Sequence, residues 1–147
     1  TPKGYGPMTE IDRVLVPFDG STQSERAVEY VDSVFPAADV TLLTAIDPVD
    51  GFAGYEGGEG NWERQATRKA ESLLAEQETV LNDDDRAVAT VVEIGAPAET
   101  IQSAVTDHDI DHVVIGSHGR SGLQRILVGS VAESVTRAVS VPVTIVR

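Results

Sequence analysis

Between Ile115 and Ser130 the chain reads IGSHGRSGLQRILVGS, and these glycines and small hydroxyls follow directly on an apolar run. Glycine lacks a Cβ, so Gly116, Gly119, Gly122 and Gly129 permit either the close approach of a bound group or a positive φ. A surface loop rich in turns would use them equally well. Ser130 with Glu133 three residues later makes S-x-x-E, which places a helix N-terminus at Gly129–Ser130. Unpaired N–H groups and a partial positive charge at such an end are worth about 0.3–1 kcal/mol to an anion, and up to about 2 kcal/mol in protected geometry. That is phosphate chemistry, and the first glycines, at the mouth of the preceding strand, add a second set of backbone donors. The competing reading is that Ser130 caps its own helix and Glu133 closes the box; spacing alone leaves both open. The phosphate-loop pattern G-x-x-x-x-G-K-[ST] is absent, and no G-x-G-x-x-G follows the first strand.

Other polar residues carry rival readings of the same kind. Asp19, before Gly20, fits a turn, but its place at the end of the first strand makes it a ligand candidate as well. His118 could serve as a base or metal ligand, yet no second ligand clusters with it, so no metal site is expected. His108 and His112 flank a loop-to-strand transition and read as surface residues. Arg120 and Arg125 could reach phosphates, although arginines on an acidic surface are usually solvated or paired.

The elements that must position these residues are legible in the periodicity. IDRVLVPF from Ile11 is a short apolar strand bounded by Asp19-Gly20. Ala27, Val28, Val31, Val34 and Phe35 then recur at helical spacing, with Thr22 and Glu25 as a capping box and Pro36 as the stop. DVTLLTAI, residues 39–46, is a second strand, and a Gly-rich stretch over 47–61 reads as a long loop, either lid or linker. Trp62, Ala66, Ala70, Leu73, Leu74 and Leu81 mark one face of a helix from about Asn61. RAVATVVEI is a third strand; Pro97 starts a helix whose buried face is Ala98, Ile101, Ala104 and Val105. DHVVIG, a last helix through Val131, Val135, Ala138 and Val139, and the strand VPVTIVR complete the pattern. Alternating strands and helices with near-continuously apolar strands predict an α/β fold, an open five-stranded parallel sheet covered on both faces. In the order 3-2-1-4-5, ligands bind beyond the carboxyl ends of strands one and four, where Asp19, Ala45 and Gly116 emerge together.

Composition bounds the function. The 147 residues suit one domain, and with no cysteine, disulfides, thiolate catalysis and iron–sulfur chemistry are excluded. TPKGYGP before Met8 reads as a cloning remnant, so residues 1–8 are remnant and start, and 9–147 the domain. No apolar run approaches the roughly 20 residues of a membrane helix, and no signal segment is evident, so a cytoplasmic protein without a membrane partner is expected. A net charge of −13 and a pI near 4.4 argue against nucleic acid. Lys3 and Lys69 are the only lysines among 11 basic residues. This lysine-poor, acidic surface predicts adaptation to concentrated salt.

Gly116-x2-Gly119-x9-Gly129-Ser130 resembles the G-2x-G-9x-G-[S/T] signature of the universal stress proteins, in their ATP-binding branch. VLVPFDGS, EIGAPAETI, DHVVIGSHGRSGLQRILVGSVAESV and VPVTIVR resemble the same family in order and spacing, over essentially the whole chain from Ile11. The resemblance implies a Rossmann-like domain of the adenine-nucleotide alpha hydrolase type. It implies further that Asp19 and the backbone of Ala45 hold adenine and ribose, with Pro17 shaping that wall and Ile115 packing nearby. Gly116, His118, Gly119, Gly129, Ser130 and Val131 would line the phosphates of ATP, with Mg²⁺ carried by those phosphates. Homodimers through the terminal strand, residues 142–147, are also implied, and the apolar edge of that strand would invite such pairing.

These expectations define a regulatory nucleotide-binding protein in stress response rather than a catalyst. No nucleophile–base pair or arginine finger is evident, and hydrolysis, if any, would be slow. The alternative is a homodimeric interaction module that does not use nucleotide, with a small phosphotransferase as a third reading.

Overall fold

Strands and helices alternate along the chain because the spacing of its apolar residues does. A computed structural model describes residues 11–48, 61–81, 86–117 and 129–147. In chain order the elements are β1 (Arg13–Pro17), α1 (Thr22–Val34), β2 (Asp39–Ile46), α2 (Asn61–Leu81), β3 (Val88–Ile94), α3 (Pro97–Asp107), β4 (His112–Gly116), α4 (Ser130–Ala138) and β5 (Val143–Val146). The strands form one parallel sheet in the order β3-β2-β1-β4-β5, the expected topology. Most of the Gly-rich loop, and all of the segment from His118 to Val128, lie outside the described residues.

Central β1 divides the core. Val14 and Val16 point to one face, where they meet Val28 and Val31 of α1, Leu42 of β2 and Leu74 of α2. Leu15 points to the other, among Ile101 of α3, Val113 and Ile115 of β4 and Val135 of α4. Every such side chain, taken fully out of water, contributes about 1.5–3 kcal/mol. Both faces are therefore covered, and β1 has no polar residue between Arg13 and Pro17. A third cluster, Ile46 with Trp62, Ala66 and Ala70, seats the start of α2 over the end of β2.

Several boundaries differ from the sequence reading, each for an identifiable physical reason. Ser21, not Thr22, caps α1: its hydroxyl accepts from the Ser24 N–H at 3.1 Å, so the expected Thr22–Glu25 box does not form. β3 begins at Val88 rather than Arg86, because the Arg86 side chain turns inward and is 1% exposed. There it closes the C-terminal end of α1, donating from Nε and Nη2 to the Pro36 carbonyl at 3.1 and 2.6 Å and standing 3.6 Å from Asp32. Cationic donors at a helix C-terminus meet its outward carbonyls and dipole together. His112, read from sequence as a surface residue, is instead half-buried; its Nε2 lies 2.7 Å from Thr144 Oγ1 and its ring 5.3 Å from that of Phe35. Burial pushes its pKa below the usual histidine value.

Candidate functional site

The carboxyl ends of β1, β2 and β4 meet at one edge, and each supplies a different kind of group. After β1 the chain must turn sharply into α1. Gly20 has φ +83°, a conformation that side-chain-bearing residues rarely adopt. Asp19 fastens the turn, its Oδ1 accepting from the Ser21 N–H at 2.9 Å. The Asp19 carboxylate is thereby held, half-buried, at the mouth of the crevice, and both roles expected for it are compatible with that geometry. Pro17, also half-buried, is the last residue of β1 and pairs with Leu43.

The hydrogen bonds of β2 alternate. Asp39 N–H donates to the Asp12 carbonyl at 2.9 Å and Leu43 C=O accepts from Phe18 N–H at 2.8 Å, so odd-numbered residues face β1. Val40 N–H donates to Ala87 and Ile46 C=O accepts from Gly95, both at 2.9 Å, so even-numbered residues face β3. Ala45, next in the odd series, therefore turns its N–H and C=O towards the space beyond the end of β1. Its neighbour Thr44 donates from Oγ1 to the Phe18 carbonyl at 2.9 Å, tying the β1–α1 turn to β2.

At the end of β4, Gly116 has no room for a side chain. A Cβ there would lie 2.8 Å from the backbone carbon of Gln23 and 2.9 Å from the Ser24 nitrogen. The first turn of α1 is enough by itself to require a glycine here. Ser117, 1% exposed, is a junction: its N–H donates to Val146 of β5 at 2.7 Å, and its C=O accepts from the Gly129 N–H. Ser117 and Gly129, which flank the segment 118–128, are thus hydrogen-bonded to each other.

Gly129, not Ser130, is the N-cap of α4, with extended backbone and no side-chain cap hydrogen bond. Ser130 is the first helical residue, and Glu133 pairs with Arg137 at 2.7 Å instead of reaching back. The expected box is absent, while the expected helix start is where the sequence put it. Ser130 is exposed, Val131 is 37% exposed, and both lie in the first turn of α4. Ile115 sits one residue before the crevice with its side chain in the core among Ala132 and Val135.

The structure therefore brings Pro17, Asp19, Ala45, Gly116, Gly129, Ser130 and Val131 to one edge of the sheet. His118 and Gly119, like Arg120 and Arg125, lie outside the described residues. Among the described residues no three His, Asp or Glu side chains converge to hold a metal ion, and no helix is long and apolar enough to cross a membrane. Ser21, Thr44 and Ser117 were missed. The signal for Thr44 was a hydroxyl at the end of an otherwise buried strand; that for Ser21 was its position just after Asp19-Gly20.

Comparison with known proteins places this geometry. The model of the universal stress protein family matches residues 10–147. The universal stress protein MJ0577 of Methanocaldococcus jannaschii is 29% identical, covering 92% of this chain and 94% of its own. The solved structure of MJ0577 superposes with a TM-score of 0.84 over 94% of this chain and 96% of that one. A universal stress protein solved in complex with cAMP is 25% identical, with a TM-score of 0.63 over 95% of this chain and 98% of that one. One from Archaeoglobus fulgidus in complex with dAMP, 16% identical, shares the fold with a TM-score of 0.65 over 95% and 100%.

Proposed function

The chain belongs to the universal stress protein family, and from that premise we propose that it is a regulatory protein that binds ATP at the crevice between β1 and β4. The observation that carries this reading is the start of α4. Among the described residues no side chain caps its first-turn amides, and the helix starts against Ser117, just past the end of β4. A relative solved with cAMP supports an adenine nucleotide as the anion. In this reading the phosphates lie on Gly129, Ser130, Val131 and the residues after Gly116, His118 and Gly119 included. Asp19 takes the ribose, Ala45 the base through its backbone, and Pro17 and Ile115 back the wall. Mg²⁺ arrives on the phosphates, whose oxygens supply the hard ligands it prefers. Binding rather than turnover is the output, in the cytoplasm.

A charge of −13 opposes another polyanion. The acidic, lysine-poor surface fits a salt-adapted host, where the screening length falls to about 3 Å in molar salt and distant carboxylates matter little. ATP affinity should then hold or rise from dilute buffer to high KCl, and a steep fall with salt would count against the assignment. A second reading rests on β5, an edge strand whose residues Val143 to Val146 are all half-buried: pairing with a second copy along 142–147 would cover it.

The deciding experiment is calorimetric titration of nucleotide-stripped protein with ATP and Mg²⁺ in high KCl, beside Gly129→Lys. The expected result is micromolar binding, about −8 kcal/mol, that disappears in the variant while its melting transition remains. No binding by either protein would leave the dimeric module as the better account.

A further inference from the structure

The end of β2 departs from regular ladder geometry at one hydroxyl. In a parallel pair, a residue whose N–H donates to position j places its C=O opposite the N–H of j+2. Phe18 donates to Leu43 at 2.8 Å, so its carbonyl belongs by geometry to the N–H of Ala45. Thr44 Oγ1 holds that carbonyl instead, at 2.9 Å. The exchange has two effects. It satisfies the Phe18 carbonyl next to the buried Phe18 side chain, and it leaves the N–H and C=O of Ala45 directed past the end of β1.

We propose that Thr44 is a positioning residue that sets base recognition: by taking the Phe18 carbonyl, its hydroxyl reserves the donor and acceptor of Ala45 for the edge of a nucleobase. The proposal rests on the nucleotide-binding reading given above. An adjacent donor and acceptor match the acceptor N1 and donor N6 of adenine, whereas guanine presents a donor at N1 and an acceptor at O6. A backbone pair built for one edge rejects the other, because the mismatch leaves polar groups unpaired. Without the hydroxyl, the Ala45 amide closes onto Phe18 and the ladder lengthens by one bond. Base reading is lost, while the α4 end of the site is untouched.

The test is calorimetric titration of ATP and GTP, each with Mg²⁺, into the wild type, Thr44→Val and Thr44→Ser in high KCl, with melting curves for all three. The wild type should prefer ATP by roughly tenfold or more, as expected for hydrogen-bond discrimination. Thr44→Val, which keeps shape and removes the donor, should erase most of that preference by weakening ATP and leaving GTP within about twofold. Thr44→Ser should restore it. Should valine lower the melting temperature markedly, Thr44→Ala and Thr44→Ser decide: preference must follow the hydroxyl, and serine behaving like alanine overturns the proposal. Equal weakening of ATP and GTP, unchanged ATP affinity in the valine variant, or a wild type indifferent to the base each overturns it as well. A wild type that binds neither nucleotide removes the underlying reading and this inference with it.

Discussion

Two helix N-termini flank the end of β4, and the chain finishes them in opposite ways. At α1, Ser21 caps the amide of Ser24, Ser24 Oγ returns a hydrogen bond to the Ser21 carbonyl at 2.9 Å, and Asp19 satisfies the Ser21 N–H. At α4, the cap is a glycine, its N–H donating to Ser117 and its carbonyl accepting from Glu133, and among the described residues no side chain turns back to the first turn. The first end is closed by its own sequence and pressed against Gly116. The second is open. The contrast separates a helix start that serves the fold from one suited to an external anion, although both belong to the same sheet edge.

The largest effect should come from breaking the closed end at its contact surface. Gly116→Val puts atoms within 2.8 Å of the Gln23 backbone, where nothing can rotate away. A loss of about 3 kcal/mol or more is expected from overpacking of this kind, read as an earlier chemical unfolding midpoint. Next is Ser21→Ala, which leaves the first turn of α1 uncapped and should cost about 1 kcal/mol, while ATP affinity changes far less. The converse substitution sharpens the comparison: Gly129→Ser gives α4 the cap it lacks. Stability should rise by a few tenths of a kcal/mol, and ATP should bind several-fold more weakly because the new hydroxyl competes for the same amides. If serine at 129 strengthened both, the open end would not be the anion site.

The smallest effect lies at the far end of α1, where Phe35 packs on His112. Burial holds the folded pKa of His112 below 6.5, so the unfolded chain takes up the proton first. Its contribution is whole above pH 6.5 and is lost as pH falls through the lowered folded value. His112→Gln should therefore flatten the acid side of the stability profile, measured from thermal melts across that range.

Much of this architecture was legible in advance because period carries it. The alternation of buried strands and amphipathic helices points to a parallel sheet covered on both faces, and Pro97 begins its helix where proline fits a first turn. What pattern could not resolve was competition between neighbours for the same bond. Ser21 and Thr22 are equally good caps on paper, and the left-handed turn at Gly20 selects Ser21. Gly129 and Ser130 pose the same choice at α4, and there too the earlier residue is the cap. Arg86 sat in an apparent strand, yet its guanidinium is drawn to carbonyls some fifty residues earlier in the chain, an attraction no local window contains. Gly116 stands out in the sequence as a glycine at a strand end, but the atoms that require it belong to α1, close in space and distant in sequence.

The hydrogen bond between Gly129 and Ser117 has a consequence for how this edge can vary. It ties together Ser117 and Gly129, the residues that flank the segment 118–128, and so joins the end of β4 to the start of α4. Lengthening a closed loop costs only about 0.6 kcal/mol per doubling in chain entropy. With that tie in place, insertions between Ser117 and Gly129 should cost the fold little, and under the nucleotide-binding proposal they should change ATP affinity more than the melting temperature.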